Sequence, residues 1–167
     1  MALSAIIKAS INATQTRTAD FESATSTIAH AFSASPGDGT AAGAADVIFK
    51  DSRTLAASAT EDLDLSGALT NIYGQTAVFA DVRYILITAD SGNTNNVNLT
   101  RPASNGLPIF LAAGDGVAVR PGGVFLFGAI DATAIPVTAG TGDLLTLTNS
   151  GGTTPVTYSI TIIGASA

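Results

Sequence analysis

The sequence predicts an all-β protein, an antiparallel β-sandwich of jelly-roll-like form preceded by an extended arm or a strand pair. From Asp46 onward, short runs of Val, Ile, Leu and Phe are separated by Gly, Pro, Asn and Asp. Turn signals recur about every 8–12 residues, which is typical of sandwiches and barrels, and no strand–helix–strand alternation is visible. The 167 residues are enough to bury a core without disulfide bonds.

A change in composition predicts two domains, an arm of residues 1–45 and a sandwich of residues 46–167. The arm is rich in Ala, Ser and Thr, and its residues 3–11 alternate loosely, as a strand would. Residues 21–32 have apolar positions close to helical spacing, but their β-branched residues disfavour a helix. A strand pair or extended arm is therefore the first interpretation and a helix the second. The Gly/Ala-rich residues 33–45 form the expected boundary loop.

Residues 81–89 give the strongest strand signal. They combine alternation, with Val82, Tyr84 and Leu86 set against Arg83, with a doubly apolar middle. Such a run predicts a strand in the centre of a sheet.

The chain's end predicts a hairpin. Residues 156–163 alternate cleanly, and a turn at Gly151 and Gly152 separates them from a strand at 144–148. Residues 66–74 predict a single helical turn closed by Gly74. Further short strands are predicted at residues 47–49, 53–59, 63–65, 77–79, 97–99, 116–119, 124–127 and 136–139.

Charge and composition restrict the partners. Charged residues make up 12% of the chain, against about 25% in typical domains. This favours a surface covered by neighbouring proteins or, alternatively, a Ser/Thr/Asn-rich β surface. The net charge is −6, so nucleic acid and anionic membranes are not expected as partners. The basic residues are scattered: Lys8, Arg17, Lys50, Arg53, Arg83, Arg101 and Arg120.

Several chemistries are excluded by what the chain lacks. Without cysteine there is no disulfide, thiolate metal site or Cys nucleophile. The N-terminus does not read as a signal peptide, because its apolar run is short and precedes the positive charge of Lys8. No apolar stretch approaches the ~18 residues of a membrane span. We expect a chain made in the cytoplasm.

No catalytic residues are predicted. His30 is the only histidine, and no Gly-x-Ser-x-Gly motif accompanies it. Glu61, Asp62 and Asp64 cluster on one segment, and such carboxylates could hydrolyse glycosides or bind Ca²⁺. The alternation of Asp62 and Asp64 with Leu63 and Leu65 favours the solvent face of an edge strand instead. We predict that the protein is not an enzyme.

No cofactor or metal is predicted either. Asp90, Asn93 and Asn95 offer oxygen ligands in the loop 90–96 but lack EF-hand spacing, so a self-capped turn is favoured over a Ca²⁺ site. The Gly-rich stretches at 37–39, 140–142 and 151–152 precede no helix that would cradle a phosphate. The aromatic residues are dispersed and should lie mostly in the core.

The segment from Arg53 to Gly67, RTLAASATEDLDLSG, resembles a stretch found in small structural proteins of tailed bacteriophages. The resemblance continues through residues 71–74, 79–83, 91–97, 119–125 and 139–145. It covers about residues 46–164, and residues 1–45 match more loosely. These are turn and strand segments, so no functional residue carries over. The resemblance implies a virion component encoded among head and tail genes, without enzymatic activity.

The function predicted on this basis is capsid decoration, that is, a cement protein that stabilises the head shell through multivalent contacts. Its partners would be the major capsid protein or neighbouring virion proteins, and it would be a homo-oligomer, with a trimer favoured. The location would be the virion. The alternatives are a tail tube, adaptor or fibre-base protein, or a receptor- or carbohydrate-binding β-module.

Overall fold

The computed structural model describes residues 2–166, and this range contains thirteen β-strands and no helix. All sheets are antiparallel, which confirms the predicted all-β class. The strands are β1 Ile7–Thr18, β2 Ser23–Ala34, β3 Val47–Leu55, β4 Thr60–Asp64, β5 Leu69–Thr70, β6 Thr76–Ala77, β7 Asp81–Ala89, β8 Val97–Thr100, β9 Gly116–Val119, β10 Val124–Gly128, β11 Ile135–Pro136, β12 Leu144–Asn149 and β13 Val156–Ala165.

The chain forms two compact units. One is Ser4–Gly37, which holds β1 and β2 and is called here the hairpin arm. The other, the sandwich unit, contains β3 to β13, runs from Asp38 onward and also includes Leu3, whose N–H donates to the Asp38 carboxylate at 2.7 Å.

The hairpin arm is a ribbon of two strands, each 12 residues long. They pair from Ile7 opposite Ala34 to Thr18 opposite Ser23. A turn at the tip closes with a hydrogen bond of 2.9 Å from the Ala19 N–H to the Glu22 carbonyl. The predicted strand pair is confirmed and the helix alternative is wrong, because the β-branched residues of β2 suit a pleated strand better than a helix.

The sandwich unit contains two large sheets. One has the order β10-β7-β13-β3, with β11 also paired to β7, and the other has the order β4-β12-β8-β9. The central position predicted for residues 81–89 is confirmed, since β7 pairs with β10 on one side and β13 on the other. A two-stranded sheet of β5 and β6 completes the unit.

One hydrophobic core lies between the two large sheets, in a sandwich-like arrangement. Alternate residues of each strand point inward, as the period of two in a pleated strand requires. The five-stranded sheet contributes the fully buried Ile85, Ile87, Ile160 and Ile162, and the four-stranded sheet contributes the fully buried Leu63, Leu99, Leu145 and Leu147.

The helical turn predicted for residues 66–74 is wrong, because this segment leads into the β5–β6 hairpin. The Asn71 side-chain oxygen accepts hydrogen bonds from the Tyr73 and Gln75 N–H groups at 2.9 and 3.0 Å. Gly74 adopts a φ of +75°, which closes the turn. An Asn that binds the backbone two residues ahead is a turn device, and it competes with helix formation.

The hairpin predicted at Gly151 and Gly152 is also wrong, because β12 and β13 lie in different sheets. The turn residues are present, but the chain crosses from one layer to the other. The buried Asn149 amide anchors this crossing by donating to the carbonyls of Ala56 at 3.0 Å and Thr154 at 2.8 Å. Each strand pairs where its own apolar face meets the core, and periodicity alone does not reveal which layer that is.

The inward face of β7 differs from the predicted one. Ile85 and Ile87 point into the core, whereas Leu86 is 38% exposed. Arg83 shares the inward parity and is only 2% exposed. Its guanidinium donates to an Asp81 carboxylate oxygen at 3.0 Å and to a backbone carbonyl at 2.8 Å. A buried charge needs such partners, and here one comes from the same strand and the other, the carbonyl of Asp131, from a distant segment.

Strand β13 contains a β-bulge between Ile163 and Gly164, and we expect Gly164 to tolerate no larger residue. At Gly164 an added Cβ would lie 2.0 Å from the Asp81 carbonyl oxygen and 2.9 Å from the Phe79 ring. We expect Gly164→Ala to lower the unfolding free energy by about 3 kcal/mol, measured by urea denaturation, because the backbone must shift. Gly37→Ala is the matched control, since its Cβ would meet nothing within 4 Å. Equal midpoints for both variants would contradict the assignment of the bulge.

Candidate functional site

The hairpin arm has one apolar and one polar face. Residues directly opposite in an antiparallel pair point to the same side, and successive pairs alternate. One face therefore carries the pairs Ala9–Phe32, Ile11–His30 and Ala13–Ile28. The other face carries Ser10–Ala31, Asn12–Ala29, Thr14–Thr27 and Thr16–Thr25.

This apolar face is uncovered. Ile11 is 68% exposed, Ile28 57% and Phe32 42%. An isolated two-stranded hairpin is marginally stable at best in water, because it has no layer against which to bury a face. Contiguous exposed apolar residues of this kind mark an interaction surface. The arm is therefore a candidate docking element.

The tip of the arm presents an aromatic ring between two acids. Phe21 is 99% exposed and lies in the turn between Asp20 and Glu22. Its ring can contribute nothing to the folding of the arm, because it contacts almost nothing there. A large apolar side chain held in this way is typical of an anchor for a partner's pocket.

A cleft of about 270 Å³ lies between β3 and the β5–β6 hairpin of the sandwich unit. Its walls include Ile48, Ile72 and Tyr73, which are 38%, 74% and 67% exposed. Lys50 stands at the cleft and forms no ion pair within residues 2–166. The cleft also contains Asp46, whose carboxylate accepts two hydrogen bonds from Ser166 at 2.6 and 2.8 Å.

The outer face of the five-stranded sheet continues this surface. Leu86 lies opposite Leu126 across the β7–β10 pair, and both are exposed. The exposed Ile48 lies opposite Ile163 across the β13–β3 pair, but Ile163 itself is buried. Hydroxyl side chains dominate the rest of the face. Thr54, Thr88, Thr157, Ser159 and Thr161 alternate with inward residues along β3, β7 and β13.

A polar network bridges the two sheets. Arg53 on β3 donates to a Glu61 carboxylate oxygen on β4 at 2.7 Å, and the Tyr158 hydroxyl donates to the other oxygen at 2.7 Å. Asp51 accepts from Arg53 at 2.9 Å, and the guanidinium lies 5.8 Å from the Phe49 ring centre. Glu61 thus belongs to the inward side of β4, together with Leu63.

These contacts set the protonation of the network. Burial, reinforced by the hydrogen bond to Glu61, raises the pKa of Tyr158 far above its ordinary value. Burial would lower the pKa of Arg53, but the hydrogen bond and ion pair with Glu61 outweigh it, so the pKa is raised. The network is a fixed structural bridge in which every charged group has a partner.

Asp62 and Asp64 occupy the outward side of β4, an edge strand of its sheet. The predicted burial of Leu63 and Leu65 is confirmed. Asp62 accepts a hydrogen bond from the Thr146 hydroxyl. Asp64 caps the following turn by accepting from the Ser66 N–H and hydroxyl at 2.8 and 2.7 Å. Glu61 does not join them, because it faces the opposite way.

The loop 90–96 forms the turn that the sequence predicts. Asp90 accepts from the Gly92 N–H at 2.7 Å. The Asn93 amide both donates to the Thr157 carbonyl and accepts from its N–H, each at 2.8 Å. Asn95 donates to the Thr154 hydroxyl at 2.9 Å. These side chains fasten the loop to the start of β13.

The remaining candidates lie apart from one another. His30 is exposed on β2, opposite Ile11. Within residues 2–166, no group of three or more His, Cys, Asp and Glu side chains could hold a metal ion. Most aromatic residues are buried or half-buried, as predicted, and Phe110, Phe125 and Phe127 pack together with centroids 6.3 and 6.5 Å apart. Phe21, Phe32 and Tyr73 are the exposed exceptions.

Neither the exposed Phe21 at the tip of the arm nor the cleft was predicted from the sequence. A Phe flanked by Asp and Glu was a visible signal, since such neighbours suit solvent better than a core. The cleft had no sequence signal, because β3 and the β5–β6 hairpin meet only in the folded unit.

Comparisons with protein families, curated proteins and solved structures find no match to this chain. Among residues 2–166 there is no helix long and apolar enough to cross a membrane.

The hydrogen bond between Tyr158 and Glu61 should make the stability of the protein depend on pH in the alkaline range. Tyr158→Phe should lower the unfolding free energy by about 1.5–3 kcal/mol near neutral pH, because Glu61 loses a hydrogen bond. In the wild type, the pKa of the Tyr158 hydroxyl is higher in the folded protein than in the unfolded chain, so the unfolded chain releases the hydroxyl proton at a lower pH. That part of the stability is complete below about pH 10 and declines above it.

The difference in unfolding free energy between the two proteins should therefore narrow as the pH rises from about 10 to about 12, as measured by urea denaturation at each pH. Burial also raises the pKa of Tyr84, but both proteins share that group. Parallel stability curves would contradict the role of Tyr158.

Proposed function

We propose that the protein is a structural component of a tailed-phage particle, in which it decorates and cements the capsid shell. The observation that carries this proposal is the hairpin arm. Its apolar face is not covered by the arm itself and is therefore suited to contact a partner protein. The sandwich unit supplies a rigid body with its own core, and the arm supplies a long contact element. The phage assignment itself rests on the sequence resemblance that begins at Arg53.

The strand order supports a jelly roll. The eight principal strands, in chain order, are β3, β4, β7, β8, β9, β10, β12 and β13. When these eight strands are numbered 1 to 8, the five-stranded sheet has the order 1-8-3-6 and the four-stranded sheet has the order 2-7-4-5. This is the order expected of two interlocked Greek keys, an architecture found in viral capsid and lectin domains.

The surface also suits a cement protein. Few charges and many hydroxyl groups face outward on the five-stranded sheet, so that contact with neighbours would desolvate few ions. Each copy would bridge adjacent shell subunits. Many weak contacts would add up through multivalency, because binding at one end raises the effective concentration at the other.

A carbohydrate- or receptor-binding module is the second candidate. The observation that favours it is Tyr73, an exposed ring beside the amides of Asn71 and Gln75 at the mouth of the cleft. An aromatic platform with neighbouring amides is a common arrangement for a sugar ring. Binding on a glycan array that is lost in Tyr73→Ala would favour this function.

Copy number tests the proposed function directly. Quantitative mass spectrometry of purified particles should find the protein in near-stoichiometric ratio to the major capsid protein. A few copies to a few dozen would place it in the tail or at a vertex, as a tube, adaptor or fibre-base protein. Absence from particles would refute a virion role.

We expect that removal of the hairpin arm leaves the fold of the sandwich unit intact but weakens binding to particles. A chain without residues 1–37 should keep its β circular-dichroism signal and unfold cooperatively, because the hydrophobic core lies entirely in the sandwich unit. Its binding to particles stripped of the protein should fall at least tenfold in a co-sedimentation assay, because the apolar face of the arm is lost. Loss of the β signal would contradict the independence of the sandwich unit.

A further inference from the structure

We propose that the arm tip of one copy docks in the cleft of a second copy, with Phe21 as the anchor and Asp20 and Glu22 facing Lys50. The inference deepens the proposed function and rests on it, since it names the contact by which building blocks would join. Three observations lead to it: the exposure of Phe21, the size of the cleft and the charges at both.

The shapes suit each other. The Phe21 ring is 99% exposed on a turn that holds it away from the arm. The cleft measures about 270 Å³, just below the roughly 300–1,000 Å³ of small-molecule sites. It therefore suits a single large side chain. An aromatic anchor in an apolar pocket is the usual centre of a protein–protein contact.

The charges are complementary. Lys50 stands at the cleft without an ion pair in the described chain, and two acids flank Phe21. The cleft's other charged residue, Asp46, already accepts two hydrogen bonds from Ser166, which leaves Lys50 as the group that the acids would face. Across the whole molecule, the two basic and two acidic residues of the arm cancel, so the net charge of −6 lies on the remainder of the chain. The net negative charges of two sandwich units repel each other, whereas an arm without net charge is not repelled by a sandwich unit. Electrostatics therefore favours contact through the arm.

The arm also offers enough surface. A stable interface needs about 800 Å² on each partner, which one ring cannot provide. Strands of 12 residues are roughly 40 Å long at about 3.3 Å per residue. The uncovered face around Ile11, Ile28 and Phe32 would supply the remaining area against the second copy.

Because the chain contains no cysteine, cross-linking can test this contact cleanly. Asp20→Cys and Lys50→Cys are made as separate proteins, mixed in equal amounts and oxidised. We expect a disulfide-linked heterodimer in the mixture and little linkage in either protein alone. Leu111→Cys is the control partner, since Leu111 is 100% exposed on a loop outside the cleft. Equal linkage to Leu111→Cys would overturn the proposal.

A chain that carries both Asp20→Cys and Lys50→Cys separates docking between copies from docking within one copy. Linkage mainly between chains supports the proposal. A predominantly intramolecular disulfide at low protein concentration would overturn it, because the arm would then fill its own cleft.

Sedimentation equilibrium of the full chain gives the energetic test. Phe21→Ala should weaken self-association about 30-fold, the size expected when an anchor residue is removed, and Leu111→Ala should leave it unchanged. Lys50→Glu should also weaken it, and the addition of Asp20→Lys and Glu22→Lys should restore it. A monomeric wild type at about 100 μM, or association unaffected by Phe21→Ala, would overturn the proposal.

The two proposals fail separately. Phe21-dependent association of a protein absent from particles would refute only the virion role. A protein abundant in particles whose association ignores Phe21 would refute only the arm-to-cleft contact.

Discussion

The pairing of β7 with β13 is the interaction on which the sandwich unit depends. Ile85 lies opposite Ile162 and Ile87 opposite Ile160, and all four side chains are fully buried. These two strands form the centre of one sheet, and their inner faces form one wall of the core. Every other strand of that sheet is placed by pairing with one of them, and the opposite sheet packs its leucines against them. Because the chain contains no cysteine, no disulfide contributes, and burial of this apolar surface is the main stabilising term.

Polar groups inside the sandwich unit restrict how the strands can pair. The Arg53–Glu61–Tyr158 bridge joins an edge of each sheet, and a slip of one residue would turn each of these groups to the wrong side. Arg83 adds a contact of its own between β7 and a distant segment, because its guanidinium donates to the backbone carbonyl of Asp131. Buried ion pairs add little net stability, because desolvation offsets attraction, but breaking one leaves an unpaired charge at high cost. The loss of one partner from either pair is therefore expected to cost more free energy than the intact pair contributes.

The hairpin arm obeys a different constraint. Its strands satisfy their backbone hydrogen bonds against each other, but the arm itself supplies no second layer to cover its apolar face. Such a ribbon gains stability when something binds it, in proportion to the concentration and affinity of the partner. Binding and ordering of the arm are in this way thermodynamically linked. The same property makes it suited to assembly, since it presents a long surface that the fold of the arm itself does not use.

The class of the fold, most of the strands and the outward position of Asp62 and Asp64 could be predicted from the sequence, because these features depend on alternation and turn residues within a few positions. The sequence did not determine which sheet β12 and β13 would join, why Arg83 is buried, or that residues 66–74 form a β-hairpin. These features depend on the folded structure, because strands pair where their apolar faces meet the core and because the Asp131 carbonyl that Arg83 contacts is distant in the sequence. The cleft beside Lys50 is of the same kind, since its walls come from segments that meet only after the chain has folded.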